Sequence, residues 1–237
     1  EKLVATDGPQ LPERVIHIIR QVARGLHEAH EVELVHRDIK PANVFVCRGW
    51  GEPDAVKVLD FGLAKNNADP RTAVTAQNVV LGTPLYIAPE ALKGAAFVDV
   101  RSDIYSLGGV AYTMPTAQPV FTGSSVVEVC AKHLHETPVA PSERLGRAVP
   151  ADLEAIVLRC LKKSPGDRYP TAAELERALA ACAAADAWSA DRAQAWWQLH
   201  AGAPTPAREG DGWGRTVEID PGTRQAALRP ALALPIA

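Results

Sequence analysis

The chain has 237 residues, 47% of them hydrophobic, and a formal net charge of −3, which suits one folded domain with an extension. That charge gives no reason to expect nucleic acid or an anionic membrane surface as partner, and no apolar run approaches the roughly 18 residues needed to cross a bilayer. Cys47, Cys130, Cys160 and Cys182 form no C-x-x-C pair, which argues against a zinc site or a disulfide framework and points to a reducing, cytoplasmic setting. No secretory signal opens the chain, and its start at Glu1 without Met reads as a fragment of a longer product.

Residues 12–30 predict the first helix. Val15, Ile16, Ile19, Val22, Ala23, Leu26 and Ala29 recur at three and four, the spacing of one buried stripe. Pro12 suits the first turn and Glu13 its positive end. Two short apolar runs follow, Val44–Val46 and Val56–Leu59. The turn material Arg48-Gly49-Trp50-Gly51-Glu52-Pro53-Asp54 between them predicts a small hairpin. Residues 63–87 carry no sustained period and read as a long loop, a length that usually signals function.

Residues 100–113 predict a central buried helix, which Pro115 should end early. Residues 124–135, 150–163 and 171–182 predict three more, the last with Thr171 as N-cap and Glu174 completing a capping box. From about residue 184 the sequence turns Ala-rich, with Trp188, Trp196 and Trp197, then Pro/Gly/Arg-rich with Trp213. Residues 186–199 read as a helix and 200–237 as mostly irregular. The tryptophans are expected to dock on the main body rather than to cage a ligand. His27, His30, His133 and His135 read as helix-surface residues, and His36 as a structural residue packed under Phe61.

The chemistry lies in two stretches, His36-Arg37-Asp38-Ile39-Lys40-Pro41-Ala42-Asn43 and Asp60-Phe61-Gly62. Phosphoryl transfer from a nucleotide needs positioning and charge neutralisation more than covalent help. Asp38 is placed to accept the proton of an incoming hydroxyl, and Lys40 to meet the charge on the transferred group. Asn43 and Asp60 supply the hard oxygens that Mg²⁺ requires, with Gly62 allowing a sharp turn behind them. Singly, Asp38 and Asp60 could be turn or capping residues; the four together in this spacing argue otherwise.

With Gly82-Thr83-Pro84-Leu85-Tyr86-Ile87-Ala88-Pro89-Glu90, Ser102-Asp103-Ile104-Tyr105-Ser106-Leu107-Gly108 and Asp167-Arg168-Tyr169-Pro170, these stretches resemble, in order, the C-terminal lobe of a Ser/Thr protein kinase over residues 1–182, leaving 183–237 as a tail. The resemblance implies a mainly α fold, a helical bundle with a small β-hairpin in the catalytic region. It also implies ATP and Mg²⁺ as cosubstrate and cofactor, and a protein hydroxyl as acceptor. Lys40 is similar to the Ser/Thr rather than the Tyr class, and residues 164–171 resemble bacterial kinases of the eukaryotic type. Phe45 and Leu59 fall where that lobe touches adenine. Thr83 falls in the substrate-docking loop. Asp103 resembles the buried acceptor of the catalytic-loop backbone, and Glu90 with Arg168 the ion pair tying the docking loop to later helices. Arg37, before the base, suggests a switch in which phosphorylated Thr72 or Thr75 pairs with its guanidinium and orders the loop.

The sequence departs from that family in one large respect. It contains no G-x-G-x-x-G strand pair, no Val-Ala-x-Lys lysine and no partner glutamate. Transfer is therefore expected of a full-length enzyme and not of these residues alone, with Phe45 and Val46 left facing solvent. The rival expectations are a non-catalytic kinase-like binding module and a truncated remnant.

Overall fold

Helix α1 (Pro12–Glu31) begins on a proline, whose missing N–H costs nothing in a first turn, and carries Glu13 there. It buries the expected stripe apart from Ala29, which is only partly buried, and adds Ile18: Val15, Ile16, Ile18, Ile19, Val22, Ala23 and Leu26 are at 2% exposure or less. Each such Ile or Leu contributes about 1.5–3 kcal/mol by leaving water. The structure is a computed structural model that describes Leu3 and residues 8–47, 53–61 and 84–200. The expected loop at 63–87 lies outside these up to residue 83, as do Gly62, Thr72, Thr75, Thr83, Trp50 and Trp213.

After α1 the chain leaves helix through Glu33, at φ 59, and runs extended into a 3-10 turn, Pro41–Asn43. Strands β1 (Val44–Cys47) and β2 (Ala55–Val58) form the predicted hairpin. They are antiparallel, with Val44 opposite Val58 and Cys47 opposite Ala55. Alternation sends Phe45 outward, 49% exposed, while Val44 and Val46 pack toward the core. Val46 therefore does not share the predicted exposure of Phe45. It lines an apolar cavity of about 290 Å³ with Ile18, Pro41 and Met114.

Helix α2 (Pro89–Lys93) and a 3-10 turn, Ala95–Phe97, lead into α3 (Val100–Thr116). Asp99 caps α3, with Ser102 returning the bond in a reciprocal capping box. This helix is buried on nearly all sides and is the central rod of the fold. It runs through Pro115 to Thr116, contrary to the expected early stop. The proline sits in the last turn, where the Thr113 hydroxyl donates to the Gly109 carbonyl at 2.9 Å and the Thr116 hydroxyl to that of Tyr112 at 2.7 Å. Ala117, in the left-handed region at φ 54, then ends it.

Helices α4 (Val126–His135), α5 (Pro141–Leu145), α6 (Ala151–Cys160) and α7 (Ala172–Ala180) surround this rod. Ser125 caps α4. Thr171 caps α7, accepting from the Glu174 N–H at 3.2 Å. Helix α1 packs against α7 and α3, and α3 against α6. Helix α8 (Ala190–His200) starts four residues later than predicted, because the Ser189 hydroxyl accepts from the Arg192 N–H and so sets the first turn. It belongs to the same compact unit, Glu1–His200.

Two histidines depart from expectation. His133 is fully buried, its Nδ1 2.9 Å from the Tyr105 hydroxyl. The His30 side chain is 6% exposed and meets Asp103. His27 and His135 lie nearer the surface, as read. Each buried histidine continues its helix's apolar stripe, four residues after Leu26 or Val129.

Candidate active site

The segment before Asp38 is held from below. Asp103, on the first turn of α3 and 1% exposed, accepts the His36 N–H on Oδ2 and the Arg37 N–H on Oδ1, both at 2.8 Å. His30 Nε2 lies 2.9 Å from the same Oδ2. These bonds fix Arg37 in the left-handed region, φ 71, a conformation that costs a non-glycine residue energy unless its surroundings enforce it. The Arg37 side chain is left exposed.

His36 joins this loop to the strand that leads to Asp60. Its ring is buried, its Nε2 lies 2.9 Å from the Leu59 carbonyl, and it packs on Phe61 at 4.6 Å between ring centroids. The expected structural role is the observed one. Its Nδ1 accepts the Asp38 N–H at 3.3 Å.

Asp38, Lys40 and Asn43 converge. Lys40 Nζ donates to Asp38 Oδ2 at 2.6 Å, with both side chains about half exposed. Asn43 is 6% exposed, and its Nδ2 donates to the Asp38 carbonyl at 2.8 Å and to Oδ2 at 3.1 Å. That engagement turns the amide oxygen away from Asp38. The Leu59 N–H donates to the Asn43 carbonyl at 2.9 Å, which extends the hairpin ladder by one rung and sets Leu59, the residue before Asp60, against Asn43. Asp60 is exposed, at φ 64, and has no ion-pair partner among the described residues. One carboxylate and one amide oxygen are a sparse set, and no cluster of three acidic, His or Cys ligands occurs among the described residues. Such a set fits Mg²⁺, which keeps water and draws further oxygens from substrate phosphates. Phe45 and Leu59, 49% and 41% exposed, are apolar groups turned to solvent near these oxygens.

Below the site, Glu90 and Arg168 meet as expected. Arg168 Nη1 and Nη2 donate to the two carboxylate oxygens at 2.6 and 2.7 Å, and Arg168 also donates to the Lys162, Lys163 and Arg101 carbonyls. The Ser102 hydroxyl completes the set on Glu90 at 2.6 Å. Burial pushes the Glu90 carboxyl up, but the bonds from Arg168 and Ser102 outweigh it and hold it below the usual range.

Sequence reasoning missed a second polar centre. Arg14 and Asp54, 1% and 0% exposed, form a buried pair to which Trp188 and Trp197 add their indole N–H groups. The expected docking of the tryptophans takes this form.

The chain matches the protein kinase domain family model over residues 1–179 and belongs to that family. Serine/threonine-protein kinase PknB of Mycobacterium tuberculosis is 44% identical over 173 residues, covering 73% of this chain and 27% of that protein. PknB of Mycobacterium leprae is 43% identical over the same shares. The chain thus spans about a quarter of the length of the curated relatives it matches. Among solved structures, Rad53 residues 1–466 in complex with AMP-PNP superposes with a TM-score of 0.56 at 24% identity, covering 74% of this chain and 42% of that one. That likeness concerns the fold.

Proposed function

We propose that this chain is the C-terminal lobe of a Ser/Thr protein kinase, which in its full-length form transfers the γ-phosphate of ATP to Ser or Thr hydroxyls of a protein substrate. The lobe spans residues 1–182, with 183–237 following as a tail whose first part, to His200, packs back on it. The observation that carries this reading is the hydrogen-bonded set of Asp38, Lys40 and Asn43 on a loop pinned to Asp103, with Asp60 following Leu59, whose N–H meets the Asn43 carbonyl. The relatives named above support the Ser/Thr class, and their greater length leaves room for a nucleotide-covering lobe elsewhere in the full-length protein.

Asp38 holds the acceptor hydroxyl and takes its proton. Lys40, already bonded to Asp38, stands ready for the negative charge on the transferred group. Asn43 and Asp60 would hold Mg²⁺, which supplies charge neutralisation on the phosphate oxygens when bound. Phe45 and Leu59 offer the apolar floor for adenine. Thr83 serves substrate docking, and Arg37 with Thr72 or Thr75 serves regulation. No helix among the described residues is long and apolar enough to cross a membrane; the cytoplasmic setting is proposed on the free cysteines Cys47, Cys130, Cys160 and Cys182. The test is incorporation of labelled phosphate from Mg²⁺·ATP into a Ser/Thr-containing protein by the full-length protein, on threonine or serine and not tyrosine. A full-length protein whose unaltered form transfers nothing, and which binds its partner equally well unaltered and as Asp38→Asn, would be a binding module.

A further inference from the structure

We propose that Asp54 is a positioning residue for the Asn43–Asp60 pair, held in place by a tryptophan clamp from residues 186–200. The inference rests on the reading of Asn43 and Asp60 as the metal-bearing residues given above.

Asp54 sits at the turn end of the β-hairpin, at φ 62 and fully buried. Its carboxylate takes four donors. Oδ1 accepts from Arg14 Nη2 at 2.8 Å and Trp197 Nε1 at 2.6 Å; Oδ2 accepts from Arg14 Nε at 2.8 Å and Trp188 Nε1 at 2.9 Å. The Arg14 guanidinium lies over the Trp196 ring, 3.5 Å from its centroid, and donates its remaining edge to Gln10 at 2.9 Å. This buried charge pair is satisfied on both sides, which buried ions require. Two of its donors, Trp188 and Trp197, lie beyond the family match, which ends at residue 179. The packed unit of this chain thus includes a segment that the shared domain does not.

The clamp acts on the end of the hairpin opposite the site. Gln21 reinforces it, donating to the Asp54 carbonyl at 2.9 Å and accepting the Val56 N–H at 3.0 Å. From there the ladder runs through Cys47–Ala55 to Val44–Val58, and on to the Leu59 N–H on the Asn43 carbonyl. A two-stranded ribbon is marginal alone. How stiffly Asn43 and Asp60 are held at one end therefore depends on how firmly Asp54 is held at the other. A tryptophan ring serves burial, but only its N–H serves Asp54, so Trp197→Phe separates the two.

The experiment compares amide hydrogen exchange of Leu59 with that of Ile19, in the core of α1, in the full-length protein, together with Mn²⁺·ATP affinity by electron paramagnetic resonance. In Trp197→Phe, Leu59 exchange rises several-fold more than Ile19 exchange, and Mn²⁺·ATP binding weakens several-fold. In the control Leu175→Ala, on α7 away from the hairpin, the two amides accelerate together or Ile19 leads. Equal acceleration in Trp197→Phe, or none, overturns the clamp. Selective acceleration with undiminished Mn²⁺·ATP affinity overturns the positioning role. Selective acceleration in a protein whose unaltered form binds no Mn²⁺·ATP contradicts the metal reading of Asn43 and Asp60 and not the clamp.

Discussion

Glu90 and Arg168 stand 78 positions apart and meet through two parallel hydrogen bonds at 2.6 and 2.7 Å, with Arg168 fully enclosed. Arg168 ties α2, the start of α3 and the 160s loop together through one guanidinium. Removing one member leaves the other charged and dry. Arg168→Ala should therefore cost about 3–5 kcal/mol, measured by urea denaturation. A loss below about 1 kcal/mol would mean that water reaches Glu90 readily. The Glu90 carboxyl is held below its usual range, so its contribution is complete above pH 4.5 and is lost as the pH falls through the lowered value.

A second acid effect occurs at higher pH. Burial, and then the nearby Lys163 charge, push the His133 imidazole from 6.5 down to about 4. Above pH 6.5 it is neutral folded or unfolded, and its full contribution is present. Between 6.5 and 4 the unfolded chain gains a proton that the folded chain refuses, so stability falls, by about 3 kcal/mol in all. Below 4 no further loss comes from this group. Thermal melts of His133→Gln across pH 4–7 should show a flatter slope in that window; an unchanged slope would contradict the assignment.

Two glycines should respond in opposite directions. A Cβ on Gly108, in α3, would stand 2.5 Å from the Cβ of Cys160, in α6, so the two helices would have to part. Gly108→Ala should cost about 1–3 kcal/mol. Gly25, inside α1, has nothing within 4 Å of the same position, and Gly25→Ala should stabilise by about 0.4–1 kcal/mol. Chemical denaturation of both variants checks the pair, and the same sign of change in both would refute the packing described here.

The contrast between these sites and the rest follows from what local sequence encodes. Asp38, Lys40 and Asn43 are legible because one short loop brings them together, and their spacing matches no helix or strand period. The stripe of α1 is legible because burial repeats with the helical turn. His30 and His133 fall on such stripes, but a polar residue type hides that until its partner, Asp103 or Tyr105, is known. Pro115 reads as a helix stop because its lost donor is visible in sequence, whereas its place in a last turn bracketed by threonine hydroxyls is not. Asp54 reads as turn material. Its partners Trp188 and Trp197 are 134 and 143 positions away, and no periodicity links them.

We propose Asp38 as the group that takes the acceptor's proton. Asp38 is half exposed, so Asp38→Asn should leave the melting temperature nearly unchanged. Phosphate transfer from Mg²⁺·ATP to a Ser/Thr protein acceptor, measured with the full-length protein, should fall by about 10²–10⁴-fold in that variant. Transfer at the unaltered rate by Asp38→Asn would contradict it.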